Sequence, residues 1–183
     1  MLRAVNVGGH NKIRMEALRA LYESLGLVDV QTYIQSGNVV FRTGERDLAR
    51  LAGTIAEGIE RAFGFRPVVI LRTASCLRLV IAKNPFAARR GVDPSRLLVT
   101  FLASEPDAEA REKVLKIKAE PEELRIEGRE LYTYFPNGMA RPKLSMAVVE
   151  KALKTPGTGR NWNTVMKLLD MAEKLEAPLA ARP

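Results

Sequence analysis

VDVQTYIQSGNVVFRTGERDLARLAGTIAEGIERAFGFRPVVIL, Val28 to Leu71, is the stretch that decides the fold. Val28 to Ile34 alternates apolar and polar residues, Gln35 to Asn38 carries turn residues, and Val39 to Arg42 returns as a second strand, so the segment opens with a hairpin. Leu48, Leu51, Ile55, Ile59, Ala62 and Phe63 then recur at helical spacing and stop at Gly64. Val68 to Leu71 is β-branched and reads as a strand. Upstream, Leu2 to Val7 reads as a strand and Gly8 to Asn11 as a turn, before Met15, Leu18, Leu21, Tyr22 and Leu25 form a helical stripe ended by Gly26. The order βαββαβ is that of a split βαβ unit, and a further helix runs from Thr73 to Asn84-Pro85.

Downstream, a similar series begins about 92 to 94 residues after the first. Arg96 to Leu102 is read as a strand, about Asp107 to Lys118 as a helix, and Leu124 to Glu127 and Glu130 to Phe135 as strands joined at Gly128-Arg129. Leu144 to Lys154 is then a helix, Thr155 to Arg160 a loop in place of a fourth strand, and about Asn161 to Leu175 a last helix. The expectation is an α+β protein of two ferredoxin-like (split βαβ) subdomains packed together, with an extra C-terminal helix. The boundaries are 1–83, a linker over 84–95 rich in Pro, Gly and Arg, and 96–183.

The chain has 183 residues, 46% of them hydrophobic, so it can bury a real core. No apolar run approaches the ~20 residues that span a bilayer, and no basic segment followed by an apolar stretch marks a secretory signal. No membrane association and a cytoplasmic location are expected. One Cys, Cys76, forbids an internal disulfide, and with a single His, His10, it leaves no zinc set. No metal and no cofactor are expected.

The net charge of +8 is uneven. Residues 1–92 carry 14 basic and 7 acidic side chains, and residues 136–169 carry six basic ones against Glu150 alone. Clustered cations raise the local concentration of phosphates, nucleic acid or acidic partners; a solvated basic face kept for solubility is the other reading.

Four segments can carry chemistry, each with a plain structural alternative. In NVGGHNK, Asn6, Gly8, Gly9, Asn11 and Lys12 either let a backbone approach an anion or form a tight turn into a helix. The spacing matches neither a Walker loop nor a dinucleotide fingerprint. In YIQSGNVVF, Ser36, Gly37 and Asn38 suit a hairpin turn. In PNGMARPKLS, Arg141 and Lys143 stand ahead of a helix, where an anion would relieve the clash between cations and the macrodipole. In TGRNWNTV, Arg160 either clamps an anion or belongs to the fold, Asn161 or Asn163 caps the last helix, and Trp162 offers a stacking face or packs.

Taken together, NVGGHNK, YIQSGNVVF, VTFL at Val99 to Leu102, PNGMARPKLS and RNWNTV resemble domain-of-unknown-function family 1697, over about residues 2 to 170. The resemblance implies a small single-chain bacterial protein of α+β, two-part ferredoxin-like character, and implies no activity. Members usually carry several more residues before the first strand and an Arg-Gly pair where this chain has Arg3 and Ala4, so either a shortened strand at Leu2–Val7 or a misassigned start is expected. His10 stands where a basic residue is common, and Pro142 where Ser is frequent.

The leading expectation is a phosphate-bearing ligand, a nucleotide or a nucleic-acid backbone, held by Lys12, Lys143 and Arg160 with Asn6, Asn38 and Asn163 as neutral donors. Two alternatives stand beside it. One is an enzyme acting on a phosphorylated or acylated small molecule, although no acid-base pair can be named. The other is a protein-protein interaction module anchored by Trp162.

Overall fold

A computed structural model of the chain describes residues 1–176. The protein is α+β, with six α-helices and two small antiparallel sheets among the described residues. It divides into two compact units, residues 1–74 with the chain from Lys167 onward, and residues 75–166.

The first unit is built from α1 (Met15–Ser24), β1 (Val28–Tyr33), β2 (Asn38–Arg42) and α2 (Leu48–Phe63). α2 starts where the Asp47 carboxylate accepts the N–H groups of Ala49 and Arg50, both at 3.0 Å, and ends at Gly64 with φ 79°. Its buried stripe of Leu51, Ile55 and Ile59 shares one core with Leu18 and Tyr22 of α1 and Val30 and Val39 of the hairpin. Full burial of each such side chain is worth roughly 1.5–3 kcal/mol, so this stripe fixes the helix on the hairpin. Tyr22 meets Phe41 edge to face at 5.5 Å, and its burial pushes the phenol pKa up.

The outer strands expected in this unit do not form as ladders. Leu2 pairs with Val69 by a single bridge, and Val7 bridges His10. Backbone bonds still run from Leu2 N–H to Gly37 (2.9 Å), Arg3 N–H to Val68 (3.0 Å) and Ile70 N–H to Met1 (2.9 Å). The expected strand from Leu2 to Val7 fails because Ala4 (φ 57°) and Asn6 (φ 56°) turn the backbone out of the extended region.

The second unit carries α3 (Ala74–Ala82, from its second residue), β3 (Leu97–Leu102), α4 (Ala108–Leu115), β4 (Glu123–Glu127), β5 (Glu130–Tyr134), α5 (Met146–Leu153) and β6 (Gly157–Asn161). The sheet order is β4-β5-β3-β6, with every neighbouring pair antiparallel. β6 corrects the expectation of a loop over Thr155–Arg160. It pairs with β3 from Leu98–Asn161 to Leu102–Gly157, and its glycines make the approach possible. A Cβ at Gly157 would lie 2.7 Å from Thr100 Cγ2.

α4 and α5 cover one sheet face, where Leu102, Leu124 and Leu131 share a core with Val114, Leu144, Val149 and Leu153. On β5, the buried Tyr132 hydroxyl donates to the Val80 carbonyl of α3 at 2.7 Å. Residues 84–95 fall within this unit: Phe86 lies 5.8 Å from the Tyr134 ring, and Arg89 stacks over Tyr134 while pairing with Glu123. α6 (Trp162–Glu176) follows β6 directly, and the Asn161 side chain caps it, its Oδ1 accepting the Asn163 N–H at 3.0 Å. Among the described residues no helix is long and apolar enough to cross a membrane.

Candidate anion site

The loop ahead of α1 is held open by one side chain. Asn6 Oδ1 accepts the Ile13 N–H at 2.9 Å, while Nδ2 donates to the carbonyls of Ile13 at 3.0 Å and Gln35 at 2.8 Å. Asn11 Nδ2 donates to the Ala4 carbonyl at 3.1 Å. Between them the chain passes through left-handed conformations at Gly8 (φ 60°), Gly9 (φ 81°) and Asn11 (φ 49°). Glycine takes these freely, and asparagine more readily than other side chains. Both asparagines are therefore consumed in shaping the loop.

The result is a cleft of about 740 Å³ between this loop, the first turn of α1 and the β1–β2 turn. Asn6, Gly9, Lys12, Arg14, Glu16 and Gln35 line it, with Ile13 and Met15 as its apolar lining. Arg14 is the N-cap residue of α1 and provides no side-chain cap. Among the described residues, the exposed side chains of Lys12 and Arg14 make no hydrogen bond or ion pair. Of the unit's other arginines, Arg19 pairs with Glu23 (3.5 Å), Arg42 with Asp29 (3.4 Å), Arg50 with Glu45, and Arg66 with Glu57 (3.3 Å) and Glu60 (2.8 Å), while Arg46 and Arg61, exposed and unpaired among the described residues, do not line the cleft. His10 is exposed in the loop, and its backbone N–H bonds to Val7 at 3.1 Å.

The Ser36-Gly37-Asn38 turn is structural. Asn38 is fully buried and donates to the Tyr33 carbonyl at 3.2 Å and to Ser36 Oγ at 3.0 Å. Gly37 has φ 71°, and a Cβ there would meet Leu2 Cβ at 2.9 Å. Its neighbour Gln35 is the residue of this segment that reaches the cleft.

The remaining candidates belong to the second unit. Arg141 and Lys143 are exposed, but the loop that carries them already has its anion. The buried Glu122 carboxylate accepts the N–H groups of Lys143 and Leu144, each at 3.2 Å. Arg160 is buried on β6, where Nη1 donates to Thr158 Oγ1 at 2.8 Å and to the Gly159 carbonyl at 2.7 Å. Burial pulls its pKa down to about 10, which leaves it a cation at neutral pH. Asn161 Nδ2 donates to the Ser95 carbonyl at 2.7 Å, Trp162 is half-buried, and Asn163 is exposed.

The structure thus gathers Asn6, Gly9 and Lys12 on one cleft, and adds Arg14, Glu16 and Gln35, which the sequence reading passed over. Their signal was position alone: two cations spaced two apart before a helical stripe, and a glutamine flanking a turn. Among the described residues no three His, Cys, Asp or Glu side chains gather as a metal site.

The sequence pattern described as "Protein of unknown function (DUF1697)" matches residues 1–132. The chain belongs to the DUF1697 family. A solved structure, that of the conserved bacterial protein SP0830 from Streptococcus pneumoniae, is 24% identical with a TM-score of 0.69, over 94% of this chain and 96% of that one. At that identity the likeness is one of fold. The chain matches no curated protein. The DUF1697 description names no activity, so function rests on the chemistry of the cleft.

Proposed function

We propose that the protein binds a phosphate-bearing ligand in the cleft ahead of α1, with Lys12 and Arg14 as its charge-bearing groups. The observation that carries this reading is a pair of cations without partners among the described residues, on a cleft whose loop is shaped by the bonds of Asn6 and Asn11. Charge-assisted contacts contribute about 1.5–3 kcal/mol each when desolvated and about 1 kcal/mol or less when exposed, so the two exposed cations act together. Lys143 and Arg160 are given no part in it, since Glu122 fills the nearby amides and Arg160 is spent within β6. Both units are taken as split βαβ halves; the order β4-β5-β3-β6 and the backbone bonds of Leu2 and Arg3 support this.

Calorimetric titration with inorganic phosphate tests the reading. The wild-type chain is expected to bind, and the exposed double variant K12E/R14E to lose at least tenfold in affinity while K143E keeps it. Equal binding by all three would refute the site.

A further inference from the structure

Resting on that reading, we infer that the occupant is a discrete organic phosphate of nucleotide size, carrying hydroxyl or amino donors, and neither a bare anion nor a polynucleotide. Size gives the first reason. A cleft of about 740 Å³ lies in the 300–1,000 Å³ range of pockets that take whole small molecules, far more room than one phosphate needs.

The lining gives the second. Cations and apolar residues alternate along the chain, Lys12, Ile13, Arg14, Met15, so an apolar wall stands beside the charged one. Outside the lining itself, Val7 is 61% and Ile34 52% exposed, and each is the chain neighbour of a residue in the 2.8 Å Asn6–Gln35 bond. These groups offer nothing to a naked phosphate and can cover the ring or carbon body of an ester.

Glu16 gives the third. Its exposed carboxylate lies in the same cleft and, like the Gln35 amide, has no side-chain partner among the described residues. A carboxylate repels added phosphates yet accepts hydrogen bonds from hydroxyl or amino groups. It therefore selects a ligand that is anionic at one end and a donor at the other. A polynucleotide would need free cations in a track leading from the cleft, whereas Arg19, Arg42, Arg50 and Arg66 are each held by a carboxylate and the unpaired Arg46 and Arg61 do not line the cleft.

The test titrates the full chain with orthophosphate, a nucleoside monophosphate and a single-stranded 20-mer, each at low and moderate salt. The monophosphate should bind at least tenfold tighter than orthophosphate, and the surface variant E16A should remove most of that preference while orthophosphate affinity stays level or rises. Equal affinity for orthophosphate and monophosphate would overturn this inference and leave the phosphate site standing. Tightest binding by the 20-mer with a steep salt slope would overturn it in favour of nucleic acid. Failure of all three probes to bind would overturn the site itself.

Discussion

Two basic loops of the molecule each lead into a helix whose N-cap residue provides no side-chain cap, Arg14 before α1 and Ser145 before α5. They resolve the same electrostatic problem differently. Ahead of α5, the fold supplies its own anion: Glu122, 4% exposed, accepts two backbone N–H groups beneath Lys143. Ahead of α1, the carboxylate that lines the cleft is the exposed Glu16 within the first turn, and the cations line the same open cleft. Basic residues at a helix start are thus not in themselves a ligand site. What distinguishes the first loop is that, among the described residues, no internal carboxylate is seated on its backbone N–H groups, while its cations line an open cleft.

The largest effect expected is from removing the internal anion. E122A strips a charged acceptor from two N–H groups, a loss of about 3 kcal/mol, and should lower Tm by roughly 6–12 °C. Part of that loss should return on adding sulfate, because the second loop would then resemble the first. An unchanged Tm would dissolve the comparison.

N6A breaks the other side of it. Three side-chain bonds vanish from the loop ahead of α1, and the left-handed backbone at φ 56° loses a residue suited to it. Thermal melts should show destabilisation by about 2 kcal/mol, roughly 4–8 °C, and phosphate binding should weaken with it.

The smallest effect concerns how the far end of α5 is fastened. Lys113 and Lys154 hold the exposed Glu109 carboxyl down to about 2 from its ordinary value near 4.5. A carboxyl lowered in the folded state adds stability above its unfolded value, and that contribution is lost as pH falls from about 4.5 through 2. K154M should therefore flatten acid unfolding slightly over that window and leave the neutral melt nearly unchanged; an unaltered acid limb would show that the pair contributes nothing.

Much of the fold was legible where local chemistry and burial agree. The 28–42 hairpin, the α2 stripe and Gly64 all follow from period, cap and turn residues. β6 was not legible, since Gly-Thr-Gly-Arg-Asn has a loop's composition and becomes a strand through its pairing with β3, at a closeness that the missing Cβ of Gly157 permits. Nor was the break in the first strand, because an alanine at φ 57° announces nothing in sequence. Within the site, Lys12 and the glycine loop were visible. Glu122 was hidden among the neighbouring Glu120 and Glu123, and only tertiary packing decides which of the three is buried.

The most direct measurement is a backbone amide NMR titration of the full chain with phosphate. The account predicts saturable shifts confined to residues 8–17 and the 34–36 turn, with residues 141–146 unmoved. Shifts centred on 141–146, or none in the loop ahead of α1, would contradict it.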